Sequence, residues 1–526
     1  MNAAPPAPAS ARDAGRNYFL LALLAISAAL RVALALRGGQ YFFGDELRYS
    51  RGALIYLGIL QHNAAQIAAG AGSPEHPGFI LLTTALAPLQ HLLAALTGHG
   101  DWHNVANFYA SAPEGAMLLG LFSVLNLWLV HRIARAAGGS RREADGAALL
   151  AACSAGLFYF SRHLLPYDAA LSAGLASLLC AFRARTWRGH FLAGVFAGAC
   201  YALYNGYWFM VPILALACVL ALTSRAVARL RALLAWSAGA LVAAIGAMIP
   251  GALAQGPGYW TQMAHFSRTV RQGVYAEGWS LPWEYGWHAD HLVGALVLAL
   301  AAAAIFLARR DAEARRRIAR WWWLVAAAYL LLVVASVGFE KFVVYGRTVR
   351  PLIPLLCLPA GFALARVVDA RRWARPLVLA GLVAAAAFDF LPHYALAFPA
   401  DVRERVWREA GVPKLALSFS GPLLGAPNPP VQRPDLALVN TEALFPLRDF
   451  VGEPAGETIF SVAHPSSLAA YQYEGYTPRE RRLLRGHDVS IKLIRLAHPA
   501  DVPDSPPPAQ LMQPSDVPDG RDRGRR

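Results

Sequence analysis

Residues 17–36 read NYFLLALLAISAALRVALAL, and a few positions later residues 44–49 read GDELRY. The first stretch is apolar over about the 20 residues that a helix needs to cross the hydrocarbon core of a bilayer. Basic residues precede it, as they precede a signal peptide. Its length, the internal Arg31 and the further apolar runs behind it favour an uncleaved first membrane helix.

The pattern recurs near 77–97, 113–133, 146–161, 166–182, 189–204, 206–223, 232–254, 291–308, 321–338, 351–368 and 376–391. Inside lipid, backbone polar groups have to be satisfied within their own segment, so these runs are expected as helices. The composition agrees: 56% of the 526 residues are hydrophobic and 15% are charged, against about 25% charged in an ordinary soluble protein. The net charge of +15 does not point to nucleic acid, because the arginines sit in short clusters between apolar runs. Such clusters are topology signals that stay in the cytoplasm. Five cysteines, all in apolar runs and without metal-type spacing, read as small core residues.

Arg132 to Arg142, Arg183 to Arg188, Arg225 to Arg231, Arg309 to Arg320 and Arg366 to Arg375 are placed on the cytoplasmic side. The parity then works if the run at 77–97 does not fully cross; it starts at Pro77, is interrupted by Pro88 and carries Gln90 and His91. The expected fold is mostly α: a polytopic membrane protein of about 11–12 transmembrane helices with a small C-terminal α/β soluble domain. Residues 1–16 are expected as a cytoplasmic tail, 17–391 as the transmembrane domain, 392–498 as an outer soluble domain and 499–526 as a disordered Pro- and Asp-rich tail. Alternating runs at Leu436–Val439, Thr458–Val462 and Val489–Ile494 suggest strands in the soluble part.

This topology puts ionisable residues on the outer face. Asp45, Glu46, Arg48 and Tyr49 follow the first helix within the outer loop 38–76. If a surface helix starts there, Arg48 and Tyr49 lie one turn beyond Asp45, an arrangement suited to handling a phosphate and deprotonating a hydroxyl; a solvated loop with a local ion pair is the plainer alternative. Arg162 and His163 precede Asp168, which stands at the mouth of an almost wholly apolar helix and reads either as a site residue or as a helix cap. The loop 255–290 holds His265, Arg268 and Arg271, the last two spaced to share a helix face, together with an interfacial tryptophan belt. Lys341, Tyr345, Arg347 and Arg350 converge on another outer helix mouth, against the positive-inside trend. Such cations suit a lipid phosphate leaving group, or else anionic headgroups.

The order of these motifs resembles that of the C-type (GT-C) glycosyltransferases, which use polyprenyl-phosphate sugars. Within that family it is similar to bacterial relatives of the protein O-mannosyltransferases and to the lipid A aminoarabinose transferases. Gly44-Asp45-Glu46-Leu47-Arg48-Tyr49 is similar to the Asp-Glu-x-Arg-Tyr motif of the aminoarabinose branch. Glu75-His76-Pro77-Gly78-Phe79 stands where that branch has Lys-Pro-Pro-Leu, with the Lys and one Pro absent and His76 in the place of the phosphate contact. Pro166-Tyr167-Asp168 resembles the second acidic motif, and Tyr345 to Pro354 resembles the Arg-Tyr-x-x-Pro-x-x-Pro pattern with Tyr and Arg rearranged. The likeness covers most of residues 17–390.

The resemblance implies an inverting glycosyltransferase that moves a sugar from a polyprenyl-phosphate carrier to a hydroxyl or phosphate acceptor on a protein, lipid or cell-envelope glycan. It implies Asp45 as general base, with Glu46 and Asp168 as its catalytic companions. Arg48, Tyr49, His76, Lys341, Tyr345, Arg347 and Arg350 would bind the donor phosphate, and Arg162, His163, His265, Arg268 and Arg271 are read as acceptor or loop contacts. No cofactor is called for; a divalent cation shared by Asp45 and Asp168 is conceivable, but two distant acids are too few to argue a metal site. The partners are the lipid-linked donor, the acceptor and the bilayer. An Ala- and Arg-rich composition suggests a bacterium, so the expected location is the cytoplasmic (inner) membrane with the site facing the periplasm. Two other readings stay open. A lipid or glycolipid transporter or flippase also carries ionisable groups in apolar surroundings, although no internal repeat is visible. A catalytically silent relative is left open by the departures at 75–78.

Overall fold

A computed structural model describes residues 18–37, 44–100, 102, 111–222, 226–271, 279–339, 346–370, 373–395, 420–424, 432–440, 455–464 and 489–497. The expected tails at 1–16 and 499–526 lie outside them.

The chain opens with α1 (Tyr18–Leu36), a 3₁₀ turn at Gly44–Tyr49, α2 (Ser50–Leu60), α3 (Ala64–Ala71) and α4 (Pro77–Leu96). Then follow α5 (Ala112–Ala136), α6 (Arg141–Cys153) and the short α7 (Ala155–Phe158), which runs into a 3₁₀ turn at Tyr159–Arg162. The central helices are α8 (Tyr167–Arg183), α9 (Trp187–Leu203), α10 (Met210–Ala221), α11 (Ala226–Gln255) and α12 (Pro257–Arg271). The helical part ends with α13 (Leu281–Leu307), α14 (Ala312–Val333), α15 (Gly346–Val349), α16 (Leu352–Ala370) and α17 (Ala374–Ala395). Local chemistry sets several starts. Ser140 accepts from the Glu143 amide to cap α6, and Asp311 accepts from the Glu313 and Ala314 amides to cap α14.

Among the described residues, seven helices are long and apolar enough to cross a membrane, or eight if one bent pair counts as a span. The expected count of about eleven to twelve also includes α8 and α9, which have 17 residues each, and α10, which has 12. Only 28% of the apolar window is buried in α1 and in α11, against 72% in the segment that carries α15 and α16. The first two therefore present apolar faces outward, as lipid contact requires, while α16 runs through the centre.

Small residues bring the central helices close. A Cβ added at Gly194 on α9 would stand 1.8 Å from the Trp236 carbonyl oxygen on α11, and one at Gly198 would stand 2.2 Å from that of Ala240. Gly239 answers from α11, where a Cβ would meet the Phe191 carbonyl oxygen at 2.1 Å. In lipid, where apolar burial does not drive helix association, such small-residue spacing lets backbones make van der Waals contact.

Two irregularities prepare the site. α4 has the length and apolarity of a span, and polar side chains hold both of its ends. His76, at its start, lies 3.1 Å from the Asn205 side chain; Thr97, just past its end, donates to Glu114 in the first turn of α5 at 2.6 Å. Midway, Gln90 donates to Ser111, again at the start of α5. The run expected at 146–161 is broken: α6 and the segment Ala155–Arg162 meet at 73° around Ser154.

The C-terminal described residues form a four-stranded antiparallel sheet in the order β1 (Ser420–Leu424), β2 (Gln432–Asn440), β4 (Val489–Leu496), β3 (Gly456–His464). Leu438 pairs with Leu493, and Phe460 pairs with the same residue from the other side. The three alternating runs read in the sequence fall inside β2, β3 and β4. The helical part expected for this region lies outside the described residues.

Candidate functional site

The densest polar construction surrounds Asp168, in the first turn of α8. Arg350, wholly buried just before α16, donates to its carboxylate at 2.6 Å. The same guanidinium donates to the carbonyls of Gly156 at 3.0 Å and Leu157 at 3.2 Å, and stands 4.9 Å from the centre of the Phe160 ring. Asn126, from α5, donates to the Asp168 backbone oxygen at 3.3 Å and is itself held by the Ser172 hydroxyl at 2.7 Å. A buried ion pair is tolerable only when the remaining donors and acceptors are satisfied as well, and this network supplies several of those partners. Asp168 therefore does not cap its helix. No side chain caps α8 at Pro166, and the carboxylate belongs to an ion pair lying at the positive end of the helix dipole.

Beside this pair lies a small pocket lined by Arg48, His76, Phe79, Pro166 and Tyr167. Arg347 donates to the Tyr167 hydroxyl and stands 5.5 Å from the centre of its ring, while the Tyr207 hydroxyl donates to the Arg347 carbonyl at 3.2 Å. In the same lining Arg48 forms an ion pair with Glu75 at 2.6 Å and lies 3.3 Å from His76 Nε2. A guanidinium can only donate, so Nε2 accepts and Nδ1–H is left to donate to the Asn205 side-chain oxygen at 3.1 Å. His76 holds a left-handed backbone (φ 50°, ψ 54°) immediately before Pro77. This is a costly conformation for a non-glycine residue, and it is held here by contacts on both ring nitrogens. Burial lowers the Arg51 guanidinium, with nearby Glu75 pulling it back up and Arg48 adding to the fall.

Glu46 and Tyr49 sit behind this pocket. The wholly buried Glu46 accepts from the Leu164 amide at 2.8 Å and lies 3.3 Å from His163 Nδ1. Tyr49 donates to Gln90 at 2.7 Å, and burial pushes its phenol up. Together they fasten the 3₁₀ turn to the bend at 163–165 and to α4. Arg162 is buried beside them, whereas His265 is exposed on α12. The backbone of Asp45 lies in the 3₁₀ turn, but its side chain is outside the described ones, as are those of Arg268 and Arg271; Lys341 and Tyr345 lie wholly outside the described residues. Among the described residues, no three His, Cys, Asp or Glu side chains group as a metal site.

Asn126, Glu75, Asn205 and Ser154 belong to this construction without having been singled out in the sequence as site residues. A signal did exist for Asn126, an amide inside an apolar run. Asn205 and Ser154 carry no mark beyond polarity at a helix end.

No protein-family model matches the chain, and no curated protein matches it. Among solved structures it is similar to ArnT from Cupriavidus metallidurans bound to undecaprenyl phosphate, with 14% identity and a TM-score of 0.45, over 75% of this chain and 73% of that one. It is also similar to the archaeal oligosaccharyltransferase AglB from Archaeoglobus fulgidus in complex with an inhibitory peptide and a dolichol-phosphate, with 14% identity and a TM-score of 0.43. That match covers 72% of this chain and 55% of AglB, so the chain spans about half the length of that protein. These are remote likenesses, and none carries an activity, a donor or an acceptor over to this chain.

Proposed function

We propose that the protein is a membrane glycosyltransferase that moves a sugar from a polyprenyl-monophosphate carrier to a hydroxyl or phosphate acceptor at the outer face of a bacterial cytoplasmic membrane. The observation that carries this reading is a pocket lined by Arg48, His76 and Tyr167, with Arg347 bonded to the Tyr167 hydroxyl; the four residues come from separate stretches of the chain. One guanidinium that lines the pocket and a second held on a lining side chain suit a lipid phosphate, whose charge grows as it leaves.

The acceptor oxygen attacks the anomeric carbon of the sugar, and the bond from that carbon to the carrier phosphate oxygen breaks. The electron pair stays on the phosphate, next to Arg48 and Arg347. The acceptor proton passes to a carboxylate, a role assigned here to Asp45 by the sequence resemblance. Arg350 is committed to Asp168 and to two carbonyls. Its proposed role therefore moves from phosphate contact to support of the site, and Asp168 is its counter-charge.

The test is a transfer assay with purified protein in lipid, using a panel of radiolabelled polyprenyl-phosphate sugars and a membrane extract as acceptor. Wild type is expected to move label. Asp45→Asn and Arg347→Ala are expected to lose on the order of 10²-fold or more, as when a charge-stabilising donor is removed from an active site. A folded wild type that binds polyprenyl phosphate but consumes no donor rejects the transferase reading.

A further inference from the structure

We infer that Asp290, on α13, is a positioning residue for the transfer site, acting through the break at Ser154 on Arg350; the inference rests on the transferase reading above. Asp290 is buried, and groups of the break donate to both of its carboxylate oxygens. Ser154 Oγ donates to its two carboxylate oxygens at 3.1 and 2.9 Å, and the Gly156 amide donates to Oδ1 at 2.9 Å. The Gly156 peptide faces two ways: its N–H is held by Asp290 and its C=O is held by Arg350. Arg350 in turn holds Asp168 at 2.6 Å. One carboxylate therefore fixes the backbone segment that fixes the guanidinium beside the pocket.

The geometry around Asp290 makes this link stiff. The next residue, His291, has φ 33° and ψ −113° inside α13, a conformation that L side chains rarely adopt. Its ring nitrogen Nδ1 lies 2.8 Å from Asp389 on α17. Asp290 and His291 thus reach to opposite neighbours from a single kink, one to the break after α6 and the other to α17. Strained backbone of this kind persists only where surrounding contacts over-determine it, and such positions cluster at functional sites. Leu157, the other carbonyl that Arg350 uses, is additionally bonded by the Ser123 hydroxyl at 3.1 Å, which Arg31 holds at 2.8 Å. The segment is therefore anchored on the α5 side independently, and Asp290 supplies its anchor on the α13 side.

The experiment compares Asp290→Ala, Asp290→Asn and Ser154→Ala in the full-length protein in lipid. It measures kcat and donor KM together with hydrogen exchange in a peptide covering residues 155–165. Asn keeps an acceptor for the Gly156 amide, whereas Ala does not. A shift of the reacting groups by about an ångström costs on the order of 10²-fold in rate. Asp290→Ala is therefore expected to lose about that much in kcat with donor KM within about twofold. It should also exchange faster at 155–165. Asp290→Asn is expected to restore most of kcat and the slow exchange, and Ser154→Ala to fall between. Unchanged kcat in a folded Asp290→Ala protein overturns the inference, as does an Asn variant as slow as the Ala variant. If Asp290→Ala does not fold, Ser154→Ala decides: wild-type kcat with wild-type exchange in that variant also overturns it. A wild type that transfers no sugar rejects the transferase reading instead, and exchange in the Asp290 variants still decides whether that carboxylate holds the segment.

Discussion

Arg350 and Asp168 lie 182 residues apart in the chain and form a buried ion pair at 2.6 Å. Removing one partner of such a pair leaves the other charged and desolvated, which typically costs about 3–5 kcal/mol. Asp168→Ala and Arg350→Ala are each expected to destabilise the protein by that order, measured by thermal unfolding in lipid nanodiscs. The double replacement Asp168→Leu with Arg350→Met is expected to recover part of the loss, because no lone charge remains, and to leave transfer abolished. A double variant no more stable than the worse single one would mean that Arg350 matters for its carbonyl contacts rather than for the pair.

The membrane class and most helix positions were legible because apolar length and Arg clusters are local properties of the chain. The same holds for the grouping of Arg48, His76, Asp168 and Arg347 on one side of the bundle, which follows from parity. Which of these residues meet is set by tertiary contacts that no local pattern encodes. Nothing in the sequence around Glu46 says that its carboxylate turns away from the pocket to accept from the Leu164 amide, or that Arg350 is used up on Asp168 while Arg347 is left at Tyr167. The break at Ser154 was illegible for another reason: an apolar run reads the same whether its helix is straight or bent by 73°.

Asp311 gives a pH-dependent contribution of known sign. The Ala314 amide and, to a lesser degree, the Glu313 amide donate to its carboxylate, with Arg366 and Arg317 nearby, and together hold it below the usual carboxylate range against the opposing effect of desolvation. A depressed native pKa means that its stabilisation is fully present above the unfolded-state value and is lost as pH falls through the native one. Thermal unfolding of wild type and Asp311→Ala should therefore differ most near neutral pH and converge in acid. A gap that widens in acid would be the wrong sign for this cap.

The contact between α9 and α11 leaves no space for side chains at its glycines. A Cβ at Gly194 would fall 1.8 Å from the Trp236 carbonyl oxygen, and backbone cannot step aside as the tip of a side chain can. Gly194→Ala and Gly198→Ala are each expected to cost on the order of 1–3 kcal/mol or more. The same replacement at Gly246 on α11, where nothing lies within 4 Å of the added carbon, should be neutral or slightly stabilising. Melting temperatures of the three variants in one detergent check this; equal effects at Gly194 and Gly246 would contradict the close packing.

Glu46 separates a structural acid from a chemical one. It is wholly buried, its Oε1 accepts from the Leu164 amide at 2.8 Å, and His163 Nδ1 lies 3.3 Å away. Glu46→Ala takes that acceptor from a buried amide, which costs about 1–3 kcal/mol. It should also loosen the 3₁₀ turn that carries Arg48, so melting temperature and transfer should fall together. Glu46→Gln keeps a carbonyl oxygen for Leu164 and removes only the charge. With the role of fastening the turn, the Gln variant should melt within a few degrees of wild type and transfer sugar at a similar rate. If it melts like wild type but has lost transfer, the charge itself takes part in the reaction, and Glu46 rather than Asp45 becomes the carboxylate to follow by pH–rate profiles.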